Sequence, residues 1–239
     1  MNVTKLSIII PAYNEGVTLP RIVEELHKVD FDQIEPEIII VDDGSSDETK
    51  IILSQLPQHI KTVSHERNQG KSAAIRTGLA YATGSHIIIQ DADLEYDPHE
   101  IPQLCNVLSS RKVQVVYGKR TKPPYTAVRI DYFLGGKFIT IVCNVLFNSN
   151  IADEPVCYKL INRSLIESLN LKEERFDFCP EVTAKILRLK HKIVEHPISY
   201  RPRSISEGKK IRYHDGFRAL YVLFKYRLLP ISYWHKPKS

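Results

Sequence analysis

The chain has 239 residues, 43% hydrophobic and 26% charged, which is enough apolar material for one large α/β domain or two small ones and excludes a disordered chain. The longest charge-free apolar window, Phe138–Ala152, is 15 residues and holds three Asn and a Ser, short of the ~20 apolar residues that span a bilayer, and four cysteines without C-x-x-C spacing argue against a zinc or disulfide framework. The net charge of +5 is uneven: residues 201–239 carry ten Lys and Arg against two acids, leaving −3 for residues 1–200, so the basic end calls for an anionic partner such as phosphate groups, nucleic acid or an anionic membrane surface.

In chain order, Asn2–Lys5 leads straight into an apolar strand at Leu6–Ile10, with no sign of a secretory leader, so reduced thiols and a cytoplasmic location are expected. Pro11-Ala12-Tyr13-Asn14-Glu15 follows as a loop, then a helix from about Thr18 to Val29. A second strand, Glu37–Val41, ends at Asp42-Asp43-Gly44-Ser45-Ser46-Asp47, where Ser and Asp are suited to cap a helix running to about Leu56. At least one of Asp42 and Asp43 is expected in that capping role. Lys61–Ser64 reads as a third strand, and Arg67-Asn68-Gln69-Gly70-Lys71-Ser72 opens a helix over Ala73–Ala82. The fourth strand is His86–Ile89, the next helix Pro98–Ser110, and the fifth strand Val113–Tyr117.

Repeated strand–loop–helix units at this spacing predict a doubly wound, mostly parallel sheet flanked by helices. Each polar loop then follows a strand, so Tyr13, Glu15, Asp43, Lys71, Asp91 and Asp93 are expected to face one crevice at the carboxyl edge, where open α/β sheets bind ligands. No Gly-x-Gly-x-x-Gly follows the first strand. Gly70-Lys71-Ser72 imitates the end of a P-loop, but position 65 is His65 rather than Gly, so neither nucleotide fingerprint is present.

The fourth strand ends in Asp91, Asp93 and Glu95 at alternate positions. Hard cations such as Mg²⁺ or Mn²⁺ are held by a few carboxylates together with phosphate oxygens, so this reads as a metal seat for a phosphorylated substrate. A solvated acidic turn, with Asp97-Pro98 capping the next helix, accounts for the same residues. Glu15 likewise suits either a nucleoside contact or the first turn of a helix.

Taken together, Pro11-Ala12-Tyr13-Asn14-Glu15, Val41-Asp42-Asp43-Gly44-Ser45-Ser46-Asp47, Asn68-x-Gly-Lys71 and Asp91-Ala92-Asp93 resemble the nucleotide-sugar half of family 2 glycosyltransferases with the GT-A fold. Asp153-Glu154-Pro155-Val156-Cys157-Tyr158-Lys159, Phe178-Cys179-Pro180-Glu181-Val182-Thr183, Pro197-Ile198-Ser199-Tyr200, and Arg203 with Lys209 resemble the branch around dolichyl-phosphate mannose synthase and related polyprenyl-phosphate glycosyltransferases. The resemblance implies one GT-A domain over 1–239, with a nucleotide-sugar half at 1–120 and an acceptor half at 121–239. It also implies that Pro11, Tyr13, Glu15, Val41 and Asp43 line the nucleoside pocket of a GDP- or UDP-hexose, with Lys71 and Ala92 beside the diphosphate. Asp91 and Asp93 would hold the diphosphate through a divalent metal, Mg²⁺ or Mn²⁺, with Glu95 as a third ligand. Arg120, Arg203 and Lys209 would bind phosphates of the donor and of a polyprenyl or dolichyl phosphate acceptor. The family inverts the anomeric centre, which implies a single in-line displacement. Ser72 departs from the Gly usual after Lys71, and Glu95 from the Gln of some members.

A phosphate acceptor is already largely dianionic at pH 7 and needs no protein base, whereas a saccharide or lipid hydroxyl would need one, and Asp153 is the candidate for that alternative. Between Arg129 and Asn150 apolar residues dominate. They suit either an amphipathic helix at a membrane interface or a helix packed on the sheet. The last helix, Asp215 to about Leu229, mixes aromatics with Arg218, Lys225 and Arg227, and Tyr226, Tyr233 and Trp234 follow as aromatics suited to headgroup depth. The basic stretch 201–210 reads as a loop able to close over the diphosphate. Peripheral attachment to the cytoplasmic membrane face is the expected location, and the intact acidic motifs argue against nucleic acid as the partner.

Overall fold

The computed structural model describes residues 3–121, 130–203, 210 and 212–236. Its seven strands are β1 (Lys5–Ala12), β2 (Glu35–Asp42), β3 (Lys61–Ser64), β4 (His86–Ile89), β5 (Val115–Arg120), β6 (Lys159–Asn162) and β7 (Ile193–Ile198). They form one sheet in the order β3-β2-β1-β4-β6-β5-β7. β1 pairs in parallel with β2 and β4, β2 with β3, and β5 with β7. β6 alone runs antiparallel, between β4 and β5.

The isoleucine runs explain the centre of the sheet. Ile8 of β1 lies beside Ile38 and Ile88, and Ile9 beside Ile39 and Ile89; all six are buried. β-branched side chains on both faces demand cover from both sides, which the parallel crossover helices supply. These helices are α1 (Leu19–Lys28), α2 (Thr49–Gln55), α3 (Lys71–Tyr81) and α4 (Ile101–Arg111). The second half adds α5 (Ile130–Phe147), α6 (Arg163–Ser168), α7 (Phe178–Arg188) and α8 (Tyr213–Leu228). No helix among the described residues is long and apolar enough to cross a membrane.

Several expectations are corrected here. β5 runs to Arg120, because Gly118, Lys119 and Arg120 pair with β7 instead of forming a loop. Neither Asp42 nor Asp43 caps α2. Asp47 serves its first turn, accepting from the backbone N–H of Thr49 at 3.0 Å and its hydroxyl at 2.5 Å. Trp234 is 1% exposed rather than at the surface, packed edge-on to Tyr226 beneath the ammonium of Lys185. Lys185 is itself buried in an ion pair with Glu181 at 2.5 Å. Trp234 thus packs over this pair on α7, leaving Tyr233 beside it exposed.

α5 packs one side on the body, as one reading of its sequence expected, and leaves an apolar side exposed. Thr140 and Cys143 are buried against the body, while Phe133, Leu134, Phe138, Ile141 and Val145 are exposed. On α8, Val222, Leu223 and Tyr226 are buried, while Phe217, Tyr221, Phe224 and Leu228 face outward. The two helices pack against each other.

The reversed direction of β6 matters for the site. Residues 153–158 precede it, so they emerge at the same rim as the loops that follow the parallel strands.

Candidate active site

At that rim lies a cavity of about 1420 Å³. Its wall includes Pro11, Tyr13, Glu15, Asp43, Lys71, Asp91, Ala92, Asp93, Glu95, Arg120, Asp153 and Arg203, so the sequence-selected residues converge from both halves. Val41 does not join them. It is fully buried, one residue before the end of β2, where both faces of the sheet are covered. Lys209 lies outside the described residues. Its neighbour Lys210 lines the cavity and donates to Glu15 Oε1 at 2.7 Å and to the Tyr13 carbonyl.

Asp43 is consumed by local structure. One oxygen accepts from Gln69 N–H at 2.9 Å and lies 2.7 Å from His65 Nδ1; the other accepts from Gly70 N–H at 2.7 Å. It therefore shapes the 67–71 loop against β2. Gly70 sits at φ +96°, where a Cβ would lie 2.5 Å from the backbone nitrogen of Arg175, so only glycine fits this approach. Ser72, the departure from the family pattern, uses the same contact: its N–H and hydroxyl donate to the Arg175 carbonyl at 2.7 and 2.9 Å.

The acidic stretch after β4 is paired throughout with cations or donors. Lys71 Nζ lies 2.5 Å from Asp91 Oδ1, and Cys157 Sγ lies 3.2 Å from the same oxygen. Arg203 donates to Asp93 Oδ2 at 3.0 Å and to both oxygens of Glu15 at 3.2 Å. Glu95 accepts from Tyr200 OH and from the Arg203 N–H, each at 2.7 Å. Burial, together with the like charges of Asp91 and Glu95, pushes the Asp93 carboxyl up to about 7. Burial works against charge on Lys71, but the Asp91 carboxylate outweighs it and holds the ammonium above its ordinary range.

A divalent cation would have to be held by this donor set. The described residues contain no ready-made group of three or more His, Cys, Asp or Glu ligands, and Glu95, expected as a third ligand, is turned to Tyr200 and the Arg203 backbone. Mg²⁺ and Mn²⁺ need no such cage, since one or two carboxylates plus substrate phosphate oxygens suffice. Asp91 and Asp93 supply two hard oxygen ligands on the cavity wall, which fits, with Lys71 and Arg203 holding those carboxylates here.

At the other end, Arg120 closes a fork on Asp153, Nε to Oδ2 and Nη2 to Oδ1 both at 2.7 Å, with its backbone N–H adding 3.1 Å. Burial alone would raise the Asp153 carboxyl, but the Arg120 guanidinium holds it below the usual range. A carboxylate so bound is a poor proton acceptor. Arg120 also stacks over the Tyr200 ring at 4.9 Å. Tyr132 and Phe133 of α5 and Tyr213 and Gly216 of α8 line the same cavity. Tyr132 and Tyr213 are stacked there, 5.6 Å apart.

Sequence reasoning marked the segments carrying Cys157 and Tyr200 but gave these two side chains no role. Lys210, Arg175 and His65 carried no motif signal, because their contacts are set by folding at long range.

A family model described as Glycosyl transferase family 2 matches residues 7–169, more than half of the chain. The chain belongs to this family. It is 31% identical over 215 residues to the undecaprenyl-phosphate 4-deoxy-4-formamido-L-arabinose transferase of Enterobacter sp. (strain 638), covering 86% of this chain and 62% of that protein. To the enzyme of the same name from Sodalis glossinidius (strain morsitans) it is 28% identical, covering 87% of this chain and 64% of that one. The chain thus spans somewhat less than two thirds of the length of these relatives. Among solved structures, glucosyl-3-phosphoglycerate synthase from Mycobacterium tuberculosis superposes with a TM-score of 0.71 at 19% identity, over 95% of this chain and 81% of that one. The fold is therefore the GT-A arrangement that the sequence motifs led one to expect. That synthase has also been crystallised with Mn²⁺ and uridine diphosphate.

Proposed function

We propose that this family 2 chain transfers a hexose from a nucleoside diphosphate sugar, of the UDP or GDP type, to a polyprenyl phosphate at a membrane surface. One observation carries the reading: the same cavity is lined by the Asp91–Asp93–Lys71–Arg203 cluster and by residues of α5 and α8, whose outer faces are apolar. The relatives named for undecaprenyl phosphate support the acceptor class. The synthase complex with uridine diphosphate and Mn²⁺ supports the donor class and a divalent metal.

In this reading Tyr13, Glu15 and the 67–71 loop receive the nucleoside. Asp91 and Asp93 would hold Mg²⁺ or Mn²⁺, which when bound supplies charge neutralisation at the leaving diphosphate. Lys71 and Arg203 place positive charge beside the same group, where negative charge grows as the glycosidic bond breaks. Arg120, held rigid by Asp153 and Tyr200, offers a guanidinium to the incoming lipid phosphate. Because that phosphate is its own nucleophile, the tie between Asp153 and Arg120 costs the reaction nothing. The exposed apolar residues of α5 and α8, with Lys137 and Arg227 beside them, suit an anionic leaflet, each such cation near the surface adding about 1 kcal/mol of attraction, whereas Arg218 and Lys225 are held by Asp177 and Glu173.

The test is an assay with UDP- and GDP-hexoses, Mg²⁺ or Mn²⁺, and undecaprenyl phosphate in anionic vesicles. A lipid-linked sugar is the expected product. Donor binding without transfer to any polyprenyl phosphate, alongside glycosylation of a saccharide hydroxyl, would refute the acceptor assignment.

A further inference from the structure

A run of polar contacts ties the ends of β2 and β3 to α3. His65, one residue past β3 and with 9% of its side chain exposed, stands between Asp43, one residue past β2, and Thr77 of α3. Its Nδ1 lies 2.7 Å from Asp43 Oδ1 and its Nε2 lies 2.8 Å from the Thr77 hydroxyl. A carboxylate only accepts, so Nδ1–H donates to Asp43. The Thr77 hydroxyl can give or take the hydrogen at Nε2, so the chain of bonds holds for a neutral or a charged ring. Asp43 differs here from other carboxylates of the cavity wall. Glu15 and Asp93 are met by Arg203, Asp91 by Lys71 and Asp153 by Arg120. Asp43, 2% exposed, is met among the described residues by the N–H groups of Gln69 and Gly70 and by the His65 imidazole.

Two of these three donors belong to the loop that Asp43 gathers. An Asp side chain turns easily about its last torsion, and loop amides cannot fix an acceptor on which their own order depends. His65 is anchored elsewhere: its backbone N–H donates to the Asp42 carbonyl at 2.8 Å, and its ring is held by Thr77. We propose that His65 is a positioning residue for donor binding, which holds the Asp43 carboxylate toward the 67–70 loop while neither it nor Thr77 lines the cavity. This rests on the nucleotide-sugar reading above and deepens it. Arg67, Asn68, Gln69 and Gly70 form part of the cavity wall, and Lys71 follows with its ammonium on Asp91. A loop already gathered in that arrangement spares the nucleotide the cost of ordering it, so the contribution of the imidazole is felt as affinity for the nucleoside diphosphate.

Two variants separate the two bonds of the ring. The amide of Asn reaches about as far as Nδ1 and that of Gln about as far as Nε2, so His65→Asn keeps a donor for Asp43 and loses Thr77, whereas His65→Gln keeps Thr77 and loses Asp43. The test is calorimetric binding of UDP and of GDP, each with Mn²⁺, to wild type and both variants, with thermal unfolding run alongside. His65→Gln is expected to bind the nucleotide that wild type prefers about tenfold more weakly, and His65→Asn within about threefold of wild type. A role in stability alone would lower the melting temperature of both variants and leave both affinities at the wild-type level, which overturns the proposal; so does an equal loss of affinity in the two. Wild type supplies a second measurement that needs no variant to fold. Without nucleotide, the amide hydrogens of Gln69 and Gly70 should exchange slowly, and exchange at the rate of an open loop overturns the proposal. Failure of wild type to bind either nucleotide would remove the donor reading together with this one, whereas equal affinities in wild type and His65→Gln would remove the role of His65 alone.

Discussion

Replacing Asp153 with Asn tests whether this residue positions Arg120 or accepts a proton. The side chain of Arg120 spends two N–H groups on the Asp153 carboxylate at 2.7 Å, and both residues are largely shielded from water. An amide of the same shape keeps one acceptor oxygen and turns an NH₂ group toward a guanidinium N–H, so one charge-assisted bond is lost and a buried cation is left half-matched. Breaking a buried pair costs about 3–5 kcal/mol, and retaining one of the two bonds places Asp153→Asn near the lower figure, ~3 kcal/mol. For a chain of this size that lowers the melting temperature by about 6–12 °C. Turnover with polyprenyl phosphate should fall less than about tenfold, mostly through KM for the lipid, because a dianionic phosphate needs no base. Thermal unfolding and steady-state kinetics on the same preparation check both numbers. A roughly 10³-fold loss of kcat with an unchanged melting temperature would mean that Asp153 takes a proton, and the positioning argument would fall.

Three further perturbations follow from the geometry. Gly70→Ala forces a Cβ to within 2.5 Å of the Arg175 backbone at φ +96°, so a loss of about 2–4 kcal/mol in denaturant unfolding and weakened nucleoside diphosphate binding are expected; unchanged values would mean the loop relaxes freely. Glu37, bonded by Ser7, Thr83 and Lys61, is lowered to about 2 against burial that would raise it. Its contribution is complete above pH 4.5 and is lost as pH falls toward 2, so the urea midpoint should drop across that window in wild type and drop less steeply in Glu37→Gln. Finally, Phe217, Tyr221 and Phe224 are 74%, 62% and 48% exposed, and replacing all three by Ser should cut cosedimentation with anionic vesicles by at least tenfold while leaving the melting temperature within about 2 °C.

Much of the first half was legible because its signals are local. Three adjacent isoleucines within repeated strand–loop–helix spacing read as a strand covered on both sides, and acids that follow such a strand emerge at its rim, so Asp91 and Asp93 were locatable without coordinates. The second half was legible as motifs but not as contacts. That β6 enters between β4 and β5, or that Glu95 turns to Tyr200, depends on pairings roughly 40 to 105 residues apart, which no periodicity encodes. Trp234 was misread for the same reason. Its ring answers to the buried Lys185–Glu181 pair on another helix, not to its neighbours in sequence. Asp43 illustrates a subtler limit: sequence showed a carboxylate at the crevice, but not that backbone N–H groups of the next loop had already claimed it.

One strand against the grain gives this rim two kinds of loop. Because β6 enters from the rim, the residues just before it reach the crevice at a strand's leading end, tied to the body through Ala152 to Glu195, Asp153 to Arg120 and Glu154 to Thr140. The loops that carry Tyr13, Lys71, Asp91 and Arg203 hang instead from the trailing ends of β1, β3, β4 and β7. An insertion between α5 and β6 would therefore lengthen one wall of the crevice without shifting the register of the parallel strands that carry the other.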